Sequence, residues 1–283
     1  MKEPGVLIIT GDGLNCERET AYAFKLAGAA PAPVHITDLL DRGQGLSVYQ
    51  ILAFIGGFSN GDHLGAGTVQ AGLFRHKLKE DLDSFIRAGK PIIGICNGFQ
   101  TLVKMGILPG TDSLAEEKKS GGAAGPKPWA QTATLMANDS GKFEDRWVHL
   151  LLHPGSPCIW TRGLDRLFLP VRHGEGKFFA TEPGLIPRLF RNGQVVAQYT
   201  DQSCREAAMS YPLNPNGSLA GIAGICDPTG TIFGLIPHPE AYLSPYNHPS
   251  WTREAALGRN LPALGQGAAI FRNAVDYVCG RSS

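Results

Sequence analysis

The sequence predicts an α/β fold: a central, mostly parallel β-sheet flanked by helices, with an antiparallel extension. Three observations lead there. Residues 1–106 alternate short apolar runs with stretches of helical periodicity. The run IIGI at 92–95 is wholly apolar, as befits a strand covered on both faces. Beyond residue 129 the apolar runs continue without long helices between them, which points to antiparallel pairing.

Each element follows from its own signals. GVLIIT at 5–10 reads as a buried strand. Residues 16–27 read as a helix, with Asn15 as N-cap, Glu17 and Glu19 in the first turn, and Gly28 just past the end. PVHIT (33–37) and ILAFI (51–55) read as the next strands. A long helix is predicted over 67–88, with Leu78, Leu82, Phe85 and Ile86 at helical spacing and Gly89 closing it. After the strand at 92–95, residues 97–105 form a helix with Phe99, Leu102 and Val103 on one face and Gly106 at its end. Residues 111–128 are polar and rich in Gly and Pro, and read as a surface loop. Strands follow at 130–137, 146–152, 194–199, 220–226 and 231–236, and a last helix at 263–279. No internal repeat or long linker divides the chain, so residues 1–283 are read as one domain.

Composition narrows the function. A chain of 283 residues can bury a full core without disulfides or metals. Its 26 Lys+Arg and 25 Asp+Glu give a net charge of +1, which removes the electrostatic reason to expect nucleic-acid or membrane-surface binding. No apolar stretch approaches the ~18 residues of a membrane span. Six cysteines are scattered without a CxxC pair and read as reduced thiols of a cytoplasmic protein.

The segment GICNGFQ (94–100) carries the chemistry. An apolar strand runs straight into a helix, with Cys96 at the junction and a glycine two residues to either side. That is the pattern of a nucleophile elbow, whose tight turn holds the nucleophile outward. The sulfur then sits at a helix N-terminus, and the N–H of Asn97 points at a developing oxyanion. The competing reading is a small core residue, since free cysteines are often buried. A base is offered by TIFGLIPHPE (231–240), where a predicted strand ends and His238, Pro239 and Glu240 follow at once. Glu240 is placed to hold the His238 imidazole in one tautomer while His238 exchanges a proton with the sulfur.

With these two segments the chain resembles a class I (triad) glutamine amidotransferase domain, which implies a flavodoxin-like sheet. GGFSNGDHL (56–64), HGEGKF (173–178), NPNGS (214–218) and IPHPE (236–240) resemble the glutaminase subunits of phosphoribosylformylglycinamidine synthases, enzymes of de novo purine synthesis. The likeness runs from the first strand to about residue 249. It implies that Cys96 attacks the side-chain amide of glutamine, with His238 and Glu240 completing the triad. Backbone N–H groups of Gly57 and Asn97 would form the oxyanion hole. Gln100 and the strand-end loop His173, Gly174, Glu175 would hold the substrate. The resemblance further implies a large, PurL-like synthetase partner that receives the ammonia and holds ATP and Mg, and a small bridging, PurS-like subunit. Three features depart from the family. Asn60 stands where Tyr is frequent, the 111–128 segment is long, and MANDSGKFEDRWVHL (136–150) is closer to the fused form of the synthase.

What is missing also counts. There is no P-loop, and Gly11-Asp12-Gly13 lacks the third glycine of a dinucleotide fingerprint because position 16 is Cys16. No cofactor is expected on this chain. Neither His173 nor His238 stands near Cys or carboxylate ligands at metal-site spacing, so no metal is expected. Two rivals remain: an amidotransferase of another pathway, and a regulatory subunit with a vestigial triad.

Overall fold

The structure is a computed structural model that describes residues 3–41, 45–110 and 129–281. In chain order the strands are β1 (Gly5–Thr10), β2 (Ala30–His35), β3 (Ile51–Phe54), β4 (Ile92–Ile95), β5 (Ala133–Met136), β6 (Glu144–Leu152), β7 (Arg166–His173), β8 (Lys177–Ala180), β9 (Val195–Thr200), β10 (Ile222–Cys226) and β11 (Ile232–Leu235). The first five helices are α1 (Glu17–Leu26), α2 (Ile36–Asp41), α3 (Thr68–Lys77), α4 (Lys79–Arg87) and α5 (Asn97–Met105). Nine strands form one sheet in the order β2-β1-β3-β4-β11-β10-β9-β6-β7. The five from β2 to β11 are parallel, and β10, β9, β6 and β7 continue the sheet antiparallel. The predicted architecture is therefore the one observed. The parallel half has the flavodoxin-like order, with its switch point between β1 and β3. β3, β4 and β11 are buried at every position, as strands covered on both faces must be. One apolar core runs through both halves of the sheet.

Several elements differ from the sequence reading. The strand expected at 33–37 occupies Ala30–His35, and Ile36 instead starts α2, which turns Ile36 and Leu39 into the core. The helix expected over 67–88 is two helices that break at Leu78, where φ is −123°. The apolar stripe Phe74, Leu78, Leu82, Phe85 runs through the break, so periodicity cannot reveal it. The kink leaves α3 packed on α5 and sends α4 against the 46–48 turn. The run at 130–137 contributes β5, which pairs with β8 in a separate two-stranded sheet rather than extending the main one. β7 went unread because Pro170 interrupts it, yet β7 is the edge strand, where proline is tolerated.

Two further corrections bear on the site. Cys16, not Asn15, is the N-cap of α1, with φ 69°, and the Asn15 side chain instead accepts a hydrogen bond from the Cys16 thiol at 3.0 Å. The last helix begins at Ala268 instead of 263. A Cβ on Gly267 would sit 1.9 Å from the Pro239 carbonyl oxygen, and one on Gly265 would sit 2.4 Å from that of Tyr242. Those glycines seat the helix start directly behind the segment that carries His238. The loop expected at 111–128 lies outside the described residues. No helix among the described residues is long and apolar enough to cross a membrane.

α5 is pressed as closely against β3. A Cβ on Gly98 would lie 2.0 Å from the Phe54 carbonyl oxygen. Gly98→Ala is therefore expected to destabilise the fold by about 3 kcal/mol. Gly72→Ala, in α3 with nothing within 4 Å of the new carbon, is expected to stabilise by up to about 1 kcal/mol. Urea denaturation of the two variants checks the contrast.

Candidate active site

The carboxyl ends of the parallel strands converge on one place. Cys96 follows β4, the Gly56–Phe58 turn follows β3, and His238 follows β11. The Leu14–Cys16 segment between β1 and α1 joins them through an antiparallel bridge of Leu14 with Gly57. Cys96 has φ 51° and ψ −105°, a left-handed conformation that costs a non-glycine residue ~1–3 kcal/mol. Its N–H donates to the Leu235 carbonyl at 2.8 Å, so the turn is pinned to β11. A Cβ on Gly94 would lie 2.8 Å from the Gly98 backbone, which is why the elbow needs glycine on both sides. Cys96, His238 and Glu240 are 4%, 2% and 2% exposed.

His238 Nδ1 and Glu240 Oε1 are 2.6 Å apart, as the sequence reading expected. The His238 N–H donates to the Pro170 carbonyl at 2.8 Å, tying the histidine to β7. A Cβ on Gly56 would lie 2.8 Å from His238 Cε1 and 3.7 Å from Cys96 Cβ, so Gly56 is the spacer that lets ring and thiol meet. Burial opposes charge on His238, but Glu240 and then the Cys96 and Cys16 thiols outweigh it. The imidazole is held well above its ordinary value of 6.5. Its Nε2 makes no hydrogen bond of normal geometry within the protein, and neither does Glu240 Oε2.

The bridge at Gly57 is made by the Asn15 N–H to the Gly56 carbonyl (3.0 Å) and the Phe58 N–H to the Gly13 carbonyl (2.8 Å). Neither bond uses the Gly57 N–H. Gly57 has φ 131°, and a Cβ there would lie 2.7 Å from the Leu14 backbone. The Asn97 N–H is at the first position of α5, where no intrahelical acceptor exists. The Asn97 side chain braces the site: Oδ1 accepts from the Ser59 N–H at 3.4 Å, and Nδ2 donates to Gln100 Oε1 at 3.0 Å.

The residues expected to form the substrate loop sit close by. Gln100 is buried rather than on an exposed helix face, and its Nε2 donates to the Glu175 carbonyl. The Glu175 carboxylate accepts from the Ala66 N–H at 3.2 Å. The Gly174 carbonyl accepts from the Asn138 N–H at 2.9 Å. His173 is pushed down to about 3 by burial and by the nearby positive charge of His238, so its ring is neutral. Asn138 Oδ1 accepts from both His173 Nδ1 and the Gly176 N–H, each at 3.0 Å. His173 therefore carries its proton on Nδ1, and the buried Nε2 is a bare acceptor. Asn138 was not singled out from the sequence. It lies in the 136–150 segment that departs from the compact family pattern, and the departure was its only signal.

The other residue missed is Cys16. Its thiol, a His238 ring nitrogen and a Glu240 oxygen all lie within 4.8 Å of one another. The expectation that His238 stands apart from other ligand-type side chains is thus corrected. The fold, not sequence spacing, brings Cys16 there, at the start of α1 beside the switch point. A cavity of about 250 Å³ opens beside these groups, lined by Cys16, Gly57, Phe58, Phe143, Arg172 and His238. Burial raises the Cys16 thiol above its ordinary value despite the His238 contact, and Glu240 and Glu19 add to the rise. The first turn of α1 carries Glu17 and Glu19, whereas that of α5 carries no acid. Of the two thiols facing His238, only Cys96 has an uncompensated helix N-terminus.

A strained elbow cysteine beside a buried His–Glu pair, on a flavodoxin-like sheet, defines a glutamine amidotransferase of the cysteine-nucleophile class. The sequence profile of the CobB/CobQ-like glutamine amidotransferase domain matches residues 3–278. A phosphoribosylformylglycinamidine synthase subunit PurQ from Dehalococcoides mccartyi is 45% identical over 98% of this chain and 99% of its own. One from Methanococcus maripaludis is 39% identical over 97% of each. A chain in the structure of PurLQS from Thermotoga maritima superposes with a TM-score of 0.67 at 26% identity, covering 97% of this chain and 99% of that one. The chain belongs to the PurQ family of phosphoribosylformylglycinamidine synthase subunits.

The geometry makes Glu240 the source of much of the charge preference at His238. Glu240→Gln is expected to lower glutamate release by roughly 10³–10⁴-fold. It is also expected to change the pH dependence of stability. A raised folded pKa stabilises fully below the ordinary value of 6.5, and that stabilisation is lost as pH rises through the folded value. Urea unfolding at about pH 6 and about pH 9 should show the wild type losing more stability than Glu240→Gln across that interval.

Proposed function

We propose that this chain hydrolyses glutamine at Cys96 and passes the ammonia to a PurL-like synthetase, which uses ATP and Mg to convert formylglycinamide ribonucleotide to formylglycinamidine ribonucleotide. The observation that carries the reading is the strained Cys96 facing the His238–Glu240 pair. His238, charged beside Glu240, holds the proton given up by Cys96, and the thiolate attacks the side-chain amide carbon of glutamine. The N–H groups of Gly57 and Asn97 receive the oxyanion, a contribution typically worth ~10²–10³ in rate per donor. His238 then protonates the leaving nitrogen, ammonia departs, and a γ-glutamyl thioester remains on Cys96. With His238 as base, water attacks the thioester and releases glutamate and the free thiol. Glu240 steadies the imidazolium at each stage.

Gln100, His173, Gly174 and Glu175 form the wall that holds the amino-acid head of the substrate. Two of them act at one remove: Gln100 positions the Glu175 backbone, and Glu175 anchors the 65–67 turn. The association of a similar chain with PurL and PurS components in the Thermotoga maritima assembly supports a synthetase partner and a small bridging subunit. Six free cysteines fit a reducing, cytoplasmic setting.

Glutamate release from glutamine tests the reading. The purified chain is expected to be slow alone. It should accelerate strongly with the synthetase components, ATP and formylglycinamide ribonucleotide. Cys96→Ala should lose at least about 10⁴-fold in both mixtures. Full activity of the isolated chain at saturating glutamine would contradict the coupling. Unchanged release by Cys96→Ala would contradict the nucleophile.

A further inference from the structure

The edge strand β7 and the segment that follows the triad enclose a second cavity, of about 500 Å³, which the proposed reaction does not use. We propose that this cavity is a binding site for a nucleoside phosphate, with arginines holding the phosphate and a wall of histidine and phenylalanine rings facing the nucleoside. The site stands apart from the Cys96 chemistry and does not depend on it.

The cavity is positively charged. Arg166, Arg253 and Arg259 line it, against one carboxylate, Glu254. Three positive charges less one negative leave a surplus of +2, in a chain whose 26 Lys+Arg and 25 Asp+Glu differ by only +1. Arg253 makes no ion pair or hydrogen bond among the described residues. Arg259 donates to Glu254 Oε2 at 2.6 Å, which leaves most of its five N–H donors free. Arg166 pairs only with Asp165, at 3.6 Å, and both side chains are exposed, so that contact holds it weakly. A free guanidinium is a planar donor fork matched to phosphate oxygens.

The wall of the cavity is made of rings. His149 stacks on Phe168 with centres 4.3 Å apart, and His248 stands 5.5 Å from the same phenylalanine. Burial and the neighbouring His248 hold His149 below its ordinary value of 6.5, against the pull of Asp201, so its ring is neutral at pH 7. His248 Nδ1 accepts from the Ser250 N–H at 3.1 Å, which leaves Nε2 as the donor of that ring. The Phe168 N–H donates to Gln266 Oε1 at 2.7 Å, fastening the wall to the opposite rim. The volume is far more than a phosphate ion fills and lies in the range of small-molecule pockets. Two residues along β7 the Pro170 carbonyl holds the His238 N–H, so the occupant rests on the strand that ties down the catalytic histidine.

Calorimetric titration of the full chain with AMP tests the site without any turnover. One molecule of AMP should bind per chain, with an affinity that falls as salt rises. Arg253→Gln should weaken it about tenfold or more. Arg191→Gln, which removes an exposed arginine outside the cavity, should leave it unchanged. Inorganic phosphate and adenosine, titrated separately, should each bind at least about tenfold more weakly than AMP. Circular dichroism confirms that each variant is folded. No AMP binding by the wild type, or an equal loss in Arg191→Gln, would overturn the proposal. Phosphate binding as tight as that of AMP would also overturn it, because the ring wall would then contribute nothing. So would Arg253→Gln weakening assembly with the synthetase components while the wild type binds no AMP, since the arginines would then serve a protein contact. Cys96→Ala should bind AMP like the wild type, which keeps this outcome separate from that of the thioester chemistry.

Discussion

Strand β4 and helix α5 meet where there is no room for a side chain on either side of Cys96. Gly98 presses on the Phe54 carbonyl, and Gly94 presses on Gly98. With both neighbours fixed, the junction residue takes φ 51° and ψ −105°, and its side chain is placed among the strand ends. The strain of ~1–3 kcal/mol is sustained because β4 is held by β3 on one side and β11 on the other. The rest of the site is arranged about that one position. Gly56 is bare so that His238 can approach, and Gly57 is bare so that the Leu14 backbone can.

Electrostatics then separates two chemically identical groups. Both thiols lie beside one imidazole, but they cap helices of different character. α1 opens with Glu17 and Glu19, and Cys16 beside them is kept protonated by burial, Glu240 and Glu19. α5 opens with Asn97, Gly98 and Phe99, so its N-terminal N–H groups face the site without an opposing charge. The same His238–Glu240 pair thus has one neighbouring thiol at an uncompensated helix N-terminus and one beside two acids.

Much of this was legible in the sequence because the residues concerned are local. The elbow needs glycines two residues either side of Cys96, and the base and its carboxylate are two residues apart. β1, β3, β4 and β11 were legible for the same reason, being short and almost wholly apolar, whereas the edge strand β2, with no buried residue, begins three residues before the predicted run. What escaped was long-range or masked by a local exception. Pro170 hid an edge strand, a continuous apolar stripe hid the break at Leu78, and Asn138 reaches the 173–176 loop from the connection between β5 and β6. Cys16 belongs with these. Its place beside His238 follows from sheet order, since the turn after β1 must abut the turns after β3 and β4. Sequence spacing alone gave it no metal-like neighbours.

The central claim is that Cys96, and not Cys16, is the nucleophile that His238 serves. A glutamine-mimicking electrophile followed by peptide mass mapping tests it most directly. The account predicts a single rapid modification on Cys96, slowed by excess glutamine and abolished in His238→Ala. Modification on Cys16, or labelling of Cys96 no faster than of the other cysteines, would contradict it.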